Sequence, residues 1–93
     1  MFVGIVRIQL HLPESRSLKD KRSVVRALKD RIRSRIRASV AEVDHHDLWQ
    51  RASIGAAVVS GEHREVERML QSIRKLAEST HGADLLDWEE EIL

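Results

Sequence analysis

Apolar and polar positions alternate from Phe2 to Leu12. Gly4, Val6, Ile8, Leu10 and Leu12 share one parity, and Val3, Ile5, Arg7, Gln9 and His11 take the other, which is the two-residue period of a β-strand. Pro13 to Arg16 breaks the strand. The period then changes: Leu18, Val25, Leu28, Ile32 and Ile36 follow steps of seven, three, four and four, one face of a helix. Ser17 stands at the N-cap position with Asp20 three residues on, a shorter relative of the capping box. Ala38 to Asp44 reads as a short strand. His45 to Gln50 is a polar connection carrying Leu48 and Trp49, expected to fold back on the core. Arg51 to Ser60 is a third strand whose two parities are both small or apolar, which argues for a central position. After Ser60 and Gly61, a second helix carries Val66, Met69, Leu70, Ile73, Leu76 and Ala77 on one face. Glu62 and Glu65 lie near its positive N-terminal end, and Gly82 is placed to terminate it. A last strand, Ala83 to Leu93, sets Leu86, Trp88 and Ile92 against Asp87, Glu89 and Glu91.

The order β-α-β-β-α-β predicts an α+β, ferredoxin-like split βαβ domain over residues 1–93, with a four-stranded antiparallel sheet and both helices on one face. The first and third strands become central neighbours, and the other sheet face stays uncovered. Its outward positions, Val3, Ile5, Arg7, Gln9 and His11 with Ser53, Gly55, Ala57 and Val59, include no aromatic residue. That excludes the base-stacking mode of RNA-recognition motifs on this face. Small and aliphatic residues on an open sheet lead us to expect burial against another copy, a homo-oligomer through that face.

Charge changes the picture more than composition does. The stretch Arg16 to Arg37 holds ten Lys or Arg against Asp20 and Asp30, a local charge of +8 in a chain of net charge +1, so the other 71 residues sum to −7. Lys19, Arg22, Arg26, Lys29, Arg33 and Arg37 recur at three- and four-residue steps and fall within an arc of roughly 80°, a stripe about 27 Å long. Like charges at these spacings weaken an isolated helix, so a compensating anion is expected, either in the acidic last strand or on a partner. The 93 residues include no Cys, which removes disulfides, thiolate nucleophiles and cysteine-based metal sites. No run of 18 apolar residues and no basic leader occur, and a cytoplasmic protein is the expectation. Twelve Arg against four Lys, no Asn and a third of residues charged lean towards a thermophilic source.

Ser17-Leu-Lys-Asp-Lys-Arg22, Val40-Ala-Glu-Val-Asp44 and Asp47-Leu-Trp-Gln-Arg-Ala52, followed by Gly55-Ala-Ala-Val-Val-Ser60, resemble the YlxP-like family of small bacterial proteins of unknown function. The resemblance runs from the first strand to the second helix and implies a ferredoxin-like fold. The family's genes tend to lie near those for translation initiation and ribosome maturation, which implies a role close to ribosomal RNA. The family pattern more often carries Gln at the position of His46, so the His pair is no hallmark, and the family supplies no catalytic residues to carry over.

Among candidate chemistries, Asp44-His45-His46-Asp47 invites a metal-assisted hydrolase centred on Asp44, His46 and Asp47, with Glu42, His63, His11 and His81 as further donors. Adjacent His residues on an extended segment point to opposite sides, and we expect no metal and no cofactor there, only Asp residues that turn the backbone. Ser17, Ser23 and Ser53 lack a paired His and Asp, and there is no Gly-rich phosphate loop, so no catalytic constellation is identified. With Phe2, Trp49 and Trp88 the only aromatics, Trp49 is expected to plug one end of the core and Trp88 to lie within it. The leading expectation is binding of structured RNA or a ribosomal particle, with Lys19, Arg22, Arg26, Lys29, Arg33 and Arg37 on phosphates and Arg51 and Trp49 extending the surface. The alternative is a homo-oligomeric scaffold that ignores nucleic acid.

Overall fold

The strand and helix periods set six elements in the computed structural model, which describes residues Met1–Leu93. They are β1 (Phe2–His11), α1 (Leu18–Arg35), β2 (Ser39–Asp44), β3 (Arg51–Ser60), α2 (His63–Glu78) and β4 (Asp84–Ile92). The sheet order is β2-β3-β1-β4 with every pair antiparallel, the ferredoxin-like arrangement with β1 and β3 at its centre. Even-numbered residues of β1 (Val6, Ile8, Leu10) and of β3 (Ala52, Ile54, Ala56, Val58) face Val25, Leu28 and Ile32 of α1 and Val66, Leu70 and Ile73 of α2 across one core. Gly4 lies where the sheet meets α2 most closely: a Cβ there would come within 2.5 Å of Val66 Cγ1.

Capping follows the N-terminal signal. Ser17 accepts a hydrogen bond from Asp20 N at 3.0 Å, and Asp20 accepts one from Arg16 N, also at 3.0 Å, a reciprocal cap in which the acid meets the amide one residue before the N-cap.

Three boundaries differ from expectation. Helix α2 ends at Glu78, not near Gly82, because the Ser79 and Thr80 hydroxyls both donate to Leu76 O and close the last turn early. Gly82, at φ 85°, serves the turn into β4 instead. In β4 the register slips between Gln9 and Leu10, which pair with Asp87 and Leu85. Leu86 is the extra residue of a bulge, and it is 51% exposed while Leu85 packs against the core. Helix α1 stops at Arg35, and Ile36 is already extended, so Arg37 falls outside the helical stripe. No helix is long and apolar enough to cross a membrane.

Candidate functional site

Helix α1 packs beside β2 and α2, whereas α2 covers β1, β3 and β4. Val24 of α1 approaches Gly82 beyond α2, and Arg31 Nη2 donates to Ser79 Oγ at 3.2 Å, so that flank of α1 faces α2. The opposite flank, with the basic stripe, runs along the outer edge beside β2. The acidic strand β4 forms the other edge of the sheet. Its only ion pair is Asp84 with His11, at 3.9 Å. Within one chain the last strand therefore leaves the stripe uncompensated. The cations of α1, beside β2, and the acids of β4 lie on opposite sides of the molecule.

The six stripe residues are not equivalent. Lys19, Arg22 and Arg26 are exposed and line a surface groove of about 600 Å³ with Ser23, Ala27 and Asp30. No carboxylate pairs with any of these three. Lys29 is half-buried. Arg33 donates to Val40 O at 2.9 Å and lies 3.8 Å from Asp30, so it satisfies a carbonyl of the edge strand. Arg37 turns towards the sheet end, where it lines a recess with Val3, Ala57 and Val59. The free cations are concentrated at the N-terminal half of the stripe.

Lys21 departs most from its reading as one cation among ten. Its side chain is 1% exposed, and its Nζ donates to His45 O at 2.7 Å and His46 O at 3.1 Å. Glu42 Oε2 lies 3.1 Å from the same nitrogen, with the Glu42 side chain 15% exposed. That oxygen is buried and makes no hydrogen bond, so it serves as a countercharge. Glu42 pairs in register with Ile54, a fully buried residue, and so faces the helices from under α1. A buried ammonium is tolerable only with its protons and charge matched in this way. Sequence spacing carried the signal: in the seven-residue gap between Leu18 and Val25, Lys21 occupies the phase of the missing apolar residue.

The consequence is a fixed β2–β3 loop. Asp44 Oδ1 accepts from His45 N at 2.7 Å, and His45 sits at φ 60°, a left-handed conformation uncommon outside glycine. The Asp44 carboxyl is held below its usual range, chiefly by the His45 N–H and next by the electrostatic influence of the His45 ring; burial opposes this, and Arg7 and His46 add lesser lowering effects. Leu48 N donates to His45 O at 3.1 Å. Gln50 Nε2 donates to Pro13 O and Ser15 O, and Gln50 O accepts from Leu12 N at 2.9 Å.

Trp49 does not plug the core: it is 54% exposed, with Leu48 beside it at 46%. The loop is held to α1 through its backbone by Lys21 and to the β1–α1 connection by Gln50, leaving the two apolar side chains outside. Trp88 is half-buried against the core, with Arg74 5.4 Å above its ring and its N–H donating to Glu90. In this segment Asp44 turns the chain, the His45 and His46 carbonyls receive Lys21, and Asp47 is exposed.

On the open face, Val43 lies over Gly55, where a Cβ would meet Val43 Cγ1 at 2.9 Å. Ile5, Arg7, Ala41, Ala57, Glu89 and Glu91 surround this point in a shallow concavity of about 600 Å³.

Residues 3–90 match the family described as Protein of unknown function (DUF503). The chain is also 30% identical over 77 residues to the Uncharacterized protein YlxP of Bacillus subtilis (strain 168), covering 83% of this chain and 84% of that protein. With both the family pattern and a relative of nearly equal extent in agreement, the chain belongs to the DUF503 family of YlxP-like proteins, whose function is unknown.

Proposed function

We propose that this protein binds the phosphate backbone of structured RNA, on its own or within a ribosomal particle, through the outer flank of α1. The observation that carries the reading is the placement of charge. Lys19, Arg22 and Arg26 line an open groove on α1, which packs beside β2, and the protein's densest run of acids, in β4, lies at the far edge of the sheet. Like-charged neighbours at three- and four-residue spacing destabilise a helix unless an anion offsets them, and a row of phosphates offsets several at once with release of counterions. Three unpaired cations correspond to a slope of roughly +2 to +3 in log Kd against log salt, binding weakening as salt rises. Titration of nuclease-treated protein with ribosomal RNA fragments at two salt concentrations, followed by anisotropy, tests this. Absence of binding at low salt rejects the reading.

The binding unit in this reading is a dimer through the open sheet face. Ile5, Val43 and Val59 are exposed there. Arg7 makes no ion pair, although Glu89 is its direct neighbour on β4. A two-fold rotation sets the arginine of each copy towards the other copy's glutamates, which is self-complementary. Sedimentation equilibrium of the wild type and of Ile5→Glu reads the assembly state, with a monomeric wild type ruling the dimer out. The scaffold alternative joins the basic helix of one copy to the acidic last strand of the next. That contact is heterologous and grows into rings or filaments, so salt-sensitive large assemblies that ignore RNA are its signature.

A further inference from the structure

A buried lysine is spent on a loop whose own side chains lie outside. His46, Asp47, Leu48 and Trp49 are all exposed, yet the loop is tied by Lys21 through two carbonyls, by Asp44 at its start and by Gln50 at its end. Of the three aromatic residues, Phe2 and Trp88 pack against the core. Trp49, the third, is held out in solvent. Fixing a large apolar side chain in water gives up burial, and a rigid aromatic loses little entropy when it meets a ligand.

We propose that the β2–β3 loop is a base-recognition element: Lys21 acts as a positioning residue that holds Trp49 to stack on an unpaired nucleobase next to the duplex tracked by α1. The proposal rests on the RNA-binding reading and names the RNA it takes, a stem carrying a bulged or loop base. Lys19 and Arg22 flank Lys21 in sequence, so the loop it holds sits at the N-terminal end of the stripe, where the free cations lie. Bases in duplex RNA are out of reach of side chains, and those that are splayed out are taken up on aromatic rings. Leu48 and Trp49 form a patch of two side chains, far short of the roughly 800 Å² per partner of a stable protein interface, and suited to one base. Stacking of a single base on an aromatic ring corresponds to roughly 5- to 150-fold in affinity.

The test uses the full chain with Trp88→Phe, so that Trp49 is the only tryptophan. Its emission is followed while a short RNA duplex, or the same duplex with one bulged purine, is added. The expected result is tighter binding of the bulged RNA by at least about 5-fold, with quenching of Trp49 by that RNA alone. In anisotropy with labelled RNA, Trp49→Ala makes the two RNAs equivalent while duplex affinity stays the same, and Trp49→Phe restores most of the preference. The paired substitution Lys21→Met with Glu42→Leu keeps the fold, read by circular dichroism, and lowers the preference for the bulge. Retention of the full preference in Trp49→Ala, or equal binding of both RNAs by the wild type, overturns the base-recognition element and leaves the phosphate reading standing. Failure to bind either RNA overturns both.

Discussion

Lys21 and Glu42 meet at 3.1 Å beneath the first turns of α1, the ammonium almost wholly buried and its hydrogens turned to the carbonyls of His45 and His46. One contact thereby joins a helix, the edge strand β2 and the loop that displays Trp49.

Removing one partner of this pair leaves the other buried without its match. Lys21→Ala is expected to lower stability by about 3–5 kcal/mol, read by urea denaturation. Lys21→Met with Glu42→Leu replaces the pair by apolar groups of similar size and is expected to fall within about 1–2 kcal/mol of wild type. A double variant as unstable as the single one argues against charge matching as the reason for the cost.

Within the stripe, Arg22 and Arg26 make no ion pair, whereas Arg33 supports Val40 of β2. Arg22→Glu with Arg26→Glu is therefore the clean reversal: RNA affinity falls steeply, the salt slope shrinks by about 2, and thermal stability holds. Arg33→Glu is expected to lower stability because Val40 O loses its donor. Equal stability losses in both variants would count against this division of labour.

At Gly4, a methyl group would collide with Val66 and lie 3.0–3.1 Å from Val58 and Leu70. Gly4→Ala is expected to cost about 1–3 kcal/mol through overpacking between β1 and α2, with the largest loss of amide protection in α2. An unchanged denaturation midpoint would mean that α2 moves away freely.

The lowered Asp44 pKa gives the loop a pH dependence of definite sign. A carboxyl whose folded-state pKa lies below its unfolded value stabilises fully above the unfolded value, about 3.9, and loses that contribution as pH falls through the folded one. Carboxyl chemical shifts are expected to show Asp44 still ionised at a pH where an aspartate in an unfolded peptide has begun to protonate. Asp44→Asn removes this difference in loop stability between neutral and acid pH. Titration of Asp44 at the unfolded value would contradict the His45 contact.

Helix and strand periods, the Ser17 cap and the β-α-β-β-α-β order were determined by the sequence alone, because each depends on residues within a few positions of one another. The centrality of β3 was equally legible from small residues on both of its faces. Local spacing put all six stripe cations on one helix flank, of which the helix carries five, but it could not say which were free. Arg33 meets Val40 only once β2 lies alongside α1, and Arg37 leaves the stripe because Ile36 turns extended. Trp49 read as a core plug by composition, since a chain with three aromatics is expected to bury all three. The tertiary structure decided otherwise: Lys21 and Glu42, 21 positions apart, close beneath the helix and hold the loop where its tryptophan stays in solvent. The bulge at Leu86 and the separation of the basic helix α1 from the acidic strand β4 were likewise settled by strand order and pairing, which no local pattern contains.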